Sequence, residues 1–164
     1  MPADSMRKVL IGIGNEYRGD DGAGIQVARR LKMSGSDGVA VVEHDGEPAA
    51  LIETLKDADS AVLVDAAAGP DPGRIHRFDA AAGELPRGIF GWSTHGMSVA
   101  EAIELARTLG ELPARCIVYA VEGQSFETGA PLSVPVEMAL AELERRARAD
   151  LRLDEPATEG AADA

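Results

Sequence analysis

The chain has one cysteine, Cys116, in 164 residues. No disulfide can form within it, and a reducing cytoplasm is the expected setting. Cys116 sits in the apolar run RCIVYAVEG and is expected to be a small buried hydrophobe. Aromatic residues make up 4% of the chain while hydrophobic residues reach 45%, so the core must be built from aliphatic side chains. Positive charge is scarce as well. Sixteen Lys and Arg against 28 Asp and Glu leave a net charge of −12, which repels nucleic acid and anionic membranes and tolerates a basic partner or a cation. No stretch approaches the roughly 20 apolar residues of a membrane span. The opening MPADSMRKVL does not read as a signal peptide, because its apolar run is short, contains glycines and has the pattern of a strand. There is no internal repeat.

What is present is an alternation of strand and helix. KVLIGIG (8–14), VAVVEHDG (39–46), SAVLVDAAAG (60–69) and ARCIVYAVEG (114–123) are apolar runs closed by glycine, as buried parallel strands are. GRIHRFDA (73–80) is shorter and suits a sheet edge. Between them lie amphipathic stretches. Ile25, Ala28 and Leu31 share a face, with Gly35 as a stop. Leu51, Ile52 and Leu55 share another, behind Pro48 in a first turn. Ser98 and Glu101 form a capping-box pattern ahead of Val99, Ala102, Ile103, Ala106 and Leu109. Val136, Leu140 and Leu143 face inward from a last helix. The expectation is an α/β three-layer sandwich, a mostly parallel sheet of about five strands covered by helices on both faces. Residues 1–5 read as an N-terminal extension, 6–153 as one catalytic domain and 154–164 as a disordered acidic tail. A monomer is expected.

The chemistry gathers where such folds bind ligands, beyond the carboxyl ends of the strands. GIGNEYRGDDGAG (12–24) has the glycines of a phosphate loop, but Tyr17 stands at the third glycine position of G-x-G-x-x-G and no G-K-[ST] follows. Asp20 and Asp21 would oppose a phosphate at the helix N-terminus. No G-x-S-x-G is present to carry a serine nucleophile. Asp65 ends the third strand and His95 lies in WSTHGMS, three residues before the capped helix. Two carboxylates and an imidazole on one rim suit a borderline divalent cation and leave positions open for water or substrate. Each has a plainer reading. An aspartate here caps the following helix by default, so at least one of Asp20 and Asp21 is expected as a cap. Asp65 could satisfy backbone amides of its turn, and His95 could be a loop residue. His44 and Asp45 sit on the same rim, Asp45 as a candidate supporting group, whereas His76 alternates on a strand face.

The stretch KVLIGIGNEYRGDDGAGIQVARRL, followed in order by VLVDAAAG, STHGMSVAEAIELARTLG and IVYAVEGQSFETGAPLSVPVEMAL, resembles the nickel–iron hydrogenase maturation endopeptidases over about residues 6 to 150. The resemblance implies an endopeptidase that removes a C-terminal extension from the hydrogenase large-subunit precursor once nickel has been inserted. It implies Asp21, Asp65 and His95 as both the metal-binding and the catalytic residues, with nickel supplied by the precursor and other divalent cations able to occupy the site. Asp20 is then the cap or supporting group. Many relatives carry glutamate where this chain has Asp21, and often D-G-G-T where it has Asp45-Gly46-Glu47-Pro48. Two other readings remain: a Rossmann-like module holding a nucleotide, and a related endopeptidase of the same fold, such as the spore-protein proteases, with another substrate.

Overall fold

The computed structural model describes residues 6–86, 88–90 and 96–153. The first apolar run forms strand β1, Lys8–Ile13, and a 3-10 turn over Gly19–Gly22 leads into helix α1, Ala23–Ser34. Strand β2, Val39–His44, helix α2, Pro48–Lys56, and strands β3, Ser60–Ala68, and β4, Ile75–Asp79, follow. Helix α3, Val99–Thr108, strand β5, Arg115–Gly123, and helix α4, Val134–Leu151, complete the order. The five strands make one sheet in the order β2-β1-β3-β5-β4, parallel except for β4 against β5.

Position in the sheet explains the composition of each strand. β1, β3 and β5 have neighbours on both sides and helices on both faces, so nearly every residue in them is buried and apolar. β2 and β4 are the edges and stay half-exposed. One aliphatic core packs Leu51, Ile52 and Leu55 of α2 and Ile103 and Ala106 of α3 against Ile11, Leu63 and Val118. The other packs Val27 and Leu31 of α1 and Val136, Leu140 and Leu143 of α4 against Leu10, Val62 and Ile117. Each fully buried leucine or isoleucine stabilises the fold by roughly 1.5–3 kcal/mol. Cys116 is buried in the first of these cores, and burial pushes its thiol up to about 12.

Local sequence sets the helix ends. Ser98 and Glu101 exchange both bonds of the capping box at the start of α3. At α2 the cap is Glu47, whose carboxylate accepts from the N–H groups of Ala49 and Ala50 at 3.0 and 2.8 Å while Pro48 occupies the first turn. Two expectations need correction. Leu109, expected inward, is 56% exposed, because α3 stops at Thr108 and the chain turns away through Gly110 at φ 73°. The last helix begins two residues earlier than its inward-facing pattern, at Val134, with Pro135 in its first turn.

One contact decides where the functional end of the sheet lies. A Cβ on Gly12 would stand 2.1 Å from the Gly24 carbonyl oxygen, and one on Gly24 would stand 2.2 Å from that of Val64. Helix α1 thus rests directly on the backbone of β1 and β3, which only two glycines permit. That approach presses the 3-10 turn with Asp20 and Asp21 against the carboxyl ends of both strands. At the other end of the sheet, Asp150 on α4 accepts from Arg77 at 2.7 and 3.1 Å, from Arg115 at 3.0 Å and from the Tyr119 hydroxyl, anchoring the last helix to β4 and β5. Among the described residues no helix is long and apolar enough to cross a membrane.

Candidate active site

Consecutive residues of a 3-10 turn point about a third of a turn apart, and here that sends Asp20 and Asp21 to different tasks. Asp20 is wholly buried. Its carboxylate accepts from the N–H groups of Gln124, Ser125 and Ser133 at 2.7, 3.1 and 2.7 Å and from the Ser133 hydroxyl at 2.8 Å. It therefore pins the loop after β5 and the start of α4 beneath the turn. Neither aspartate caps α1: the N-cap is Gly22, and no side chain bonds there. The expected cap is unnecessary because the turn runs straight into the helix, the Ala23 N–H already bonding to the Asp20 carbonyl.

Asp21 points toward the sheet. The Asn15 N–H donates to both its backbone oxygen, at 3.1 Å, and its Oδ2, at 3.2 Å. Asn15 braces the turn further by accepting from the Tyr17 N–H at 2.9 Å. Gly14, at φ 148°, lies so close beneath that a Cβ there would sit 1.8 Å from the Asp21 carbonyl oxygen. Asp65, on the neighbouring strand, spends one oxygen on the Ala66 N–H at 2.8 Å. Burial, reinforced by the charge of Asp21, pushes the Asp65 carboxyl up to about 8. Burial raises Asp21 as well, offset in part by the positive charge of Arg18 and the Asn15 N–H.

Both carboxyl groups line one cavity of about 360 Å³. It opens between the carboxyl ends of β1 and β3, where the chain order reverses from β2 on one side to β3 on the other. Ile13, Ile25, Phe90, Met97 and Val99 form its apolar wall, and Glu16, Glu43, Asp45 and Arg18 its charged rim. Asp45, the expected supporting group, does border the cavity, and its Oδ1 accepts from the Glu47 N–H at 3.0 Å.

Glu16 and Glu43 carry no motif and were not expected at the site. Arg29 of α1 holds both in two-pronged bonds, Glu16 at 2.8 and 3.1 Å and Glu43 at 3.0 and 3.1 Å. A helical Arg facing a loop glutamate and an edge-strand glutamate gives no periodic signal in the sequence.

The other histidines fall outside the cavity lining. His44 accepts the Gly46 N–H on its Nδ1 at 2.8 Å, which closes the turn after β2. His76 sits on the face of β4 as expected, its Nε2 2.6 Å from Glu122 Oε2, and this bond holds Glu122 below the usual carboxylate range. His95 lies outside the described residues, as do 1–5 and 154–164.

Among the described residues no group of three His, Cys, Asp or Glu side chains could hold a metal ion alone. Asp21 and Asp65 are a half-site. Two buried carboxyls, both raised by burial and Asp65 further by the charge of Asp21, are the donor set a divalent cation would relieve, so the residues fit one that arrives with ligands of its own. They do not fit a phosphate, which the same charges repel.

These features define an α/β protein with paired acidic groups at its topological switch point. Residues 25–149 match the family model described as Hydrogenase maturation protease. The chain belongs to the hydrogenase maturation protease family and is a peptidase. Asp65 and His95 fall within the matched span, and Asp21 lies just ahead of it. Solved structures share the fold. The chain is 22% identical to the hydrogenase maturating endopeptidase HybD from Escherichia coli, covering 92% of this chain and 94% of that one with a TM-score of 0.73. For an endopeptidase from Escherichia coli solved in solution the values are 21%, 92%, 94% and 0.76. For the [NiFe] hydrogenase maturation protease HycI from Thermococcus kodakarensis they are 22%, 92%, 96% and 0.69. No functionally curated protein sequence matches the chain significantly.

Proposed function

We propose that this peptidase removes the C-terminal extension of a nickel–iron hydrogenase large-subunit precursor after nickel insertion, and that Asp21, Asp65 and His95 are the residues that act. The observation that carries the reading is the pair Asp21 and Asp65, two buried carboxyls facing one cavity, the charge of Asp21 helping to hold the proton on Asp65, in a chain of this family. In this reading nickel is part of the substrate, held by the precursor, and the half-site completes its coordination. An incomplete donor set then acts as a gate: only a precursor that brings the metal is drawn into the cavity. Phe90 and Met97, which flank His95 in the chain, border the same cavity and support His95 as the third donor.

Once the precursor is bound, the chain's own groups supply proton transfer. Asp65 holds its proton to about pH 8 in the free cavity, so entry of a cation displaces that proton. Asp21, steadied by Asn15 and by the charge of Arg18, is the carboxylate that holds and deprotonates a water directed at the scissile carbonyl. The apolar wall excludes bulk water from this exchange.

The test is to incubate nickel-loaded and nickel-free precursor with the enzyme and read the product by mass. The expected result is cleavage of the loaded precursor alone, a loss of at least about 100-fold in rate with Asp21→Asn or His95→Ala, and no cutting of generic peptides. Processing by either variant at the native rate would overturn the site assignment. The nucleotide-binding alternative predicts thermal stabilisation by NAD or ATP and none by nickel, zinc or cadmium; the acidic rim argues against it.

A further inference from the structure

The cavity that holds Asp21 and Asp65 is bordered by three more carboxylates, Glu16, Glu43 and Asp45. Left unpaired, acidic groups around one small space strengthen its attraction for a free cation. A protease that reads metal on its substrate must avoid that, since a captured ion would fill the half-site and bar the precursor.

Two of these carboxylates are bound by one arginine. Arg29 rises from α1 between the loop after β1 and the end of β2. Its Nη1 and Nη2 donate to the two oxygens of Glu16 at 2.8 and 3.1 Å, and its Nε and Nη2 donate to the two oxygens of Glu43 at 3.0 and 3.1 Å. All four carboxylate oxygens are occupied by one guanidinium. A lysine could not do this, because the arrangement uses the planar, forked geometry of arginine on two sides at once. The three side chains are about one-third exposed, at 39, 32 and 33%. The bonds are therefore worth little as stability, and their consequence lies in where the carboxylates are held.

We infer that Arg29 is a specificity-determining positioning residue: it holds Glu16 and Glu43 at the rim of the cavity with their oxygens already bonded, and so weakens the hold of the half-site on a free divalent cation. Loss of the guanidinium makes the rim one charge more negative and leaves two carboxylates unpaired, and each strengthens attraction for a dication by coordination or through its field alone. The inference rests on the reading of Asp21 and Asp65 as metal-facing.

Titration of the purified full chain with nickel(II), followed by calorimetry, tests it without reference to cleavage. Arg29→Met is expected to bind nickel at least about tenfold more tightly than the native chain. Adding Glu16→Gln and Glu43→Gln to Arg29→Met is expected to return the affinity to near the native value, while those two changes with Arg29 intact, which leave the arginine's positive charge uncompensated, give no rise. An Arg29→Met affinity equal to native overturns the proposal, and so does a gain that survives loss of both glutamates. Arg29→Lys keeps the charge but not the fork. It gives a rise of the same sign and serves if the methionine variant does not fold; no rise there is equally fatal. Asp21→Asn separates the two readings. If it binds nickel as the native chain does, the metal-facing reading fails with the clamp. If it weakens binding and Arg29→Met is flat, the clamp alone fails.

Discussion

Asp20 and Ser133, 113 residues apart in sequence, meet through two bonds: the Ser133 N–H and hydroxyl donate to the Asp20 carboxylate at 2.7 and 2.8 Å. With the Gln124 and Ser125 N–H groups added, one buried carboxylate satisfies four donors. Asp20→Asn turns one of its oxygens into a donor that faces N–H groups. A loss of about 2–4 kcal/mol is expected, from leaving buried donors unmet, measured by urea unfolding. Amide exchange should quicken across residues 124–133 before it quickens elsewhere. Uniform exchange, or an unchanged midpoint, would count against this role.

That bond also marks the limit of what the sequence discloses. β1, β3 and β5 are legible because a strand buried on both faces must be apolar throughout, and α3 because Ser98 and Glu101 are a local signal. The two strand-end carboxylates, Asp21 and Asp65, follow from topology alone. The task of Asp20 does not, since every bond its carboxylate accepts comes from more than 100 residues away. The Arg29 clamp is hidden for the same reason: Glu16, Arg29 and Glu43 sit on a loop, a helix and an edge strand, and only the packing of α1 on β1 joins them. Leu109 fits its helical face and is nevertheless exposed, because the helix ends first.

The Asp65 carboxyl, at about 8 in the folded chain, compares with about 3.9 in an unfolded one. Keeping this proton favours the fold, so the stability it contributes is fully present below pH 4 and drains away as pH rises through about 8. Asp65→Asn removes the titration while its amide oxygen still accepts from Ala66. The variant should match the native chain near pH 4 and exceed it by a few kcal/mol above pH 8. Thermal unfolding across that range decides the matter, and a pH-independent difference would contradict it.

The same proton should appear on metal binding. Nickel titrated at pH 7 in two buffers of different ionisation enthalpy is expected to release close to one proton per ion, falling toward none in Asp65→Asn. Equal heats in the two buffers would show that Asp65 is not displaced.

Gly14 holds a conformation, φ 148°, and a contact, 1.8 Å from a would-be Cβ to the Asp21 oxygen, that no side chain tolerates. Gly14→Ala must move the Asp21 turn. The cost to stability is expected to exceed about 2 kcal/mol, with precursor cleavage lost even at temperatures where the variant remains folded. Circular dichroism and the cleavage assay, run side by side, separate the two effects.

Asp150 offers the opposite separation, stability without the site. It gathers Arg77, Arg115 and Tyr119 beneath the end of α4, and burial together with this carboxylate pushes the Tyr119 hydroxyl up to about 12. Both arginines reach solvent, at 43 and 37% exposure, so the full penalty of a broken buried pair does not apply. Asp150→Ala should cost about 2–3 kcal/mol and lower the Tyr119 titration toward the ordinary tyrosine range, read by absorbance at alkaline pH. This cluster stands at the amino end of β5, and the cavity opens at the carboxyl ends of β1 and β3. Nickel affinity and the cleavage rate of the folded variant should therefore match the native chain, and a variant that folds yet fails to cut would reveal a link between the two ends of the sheet.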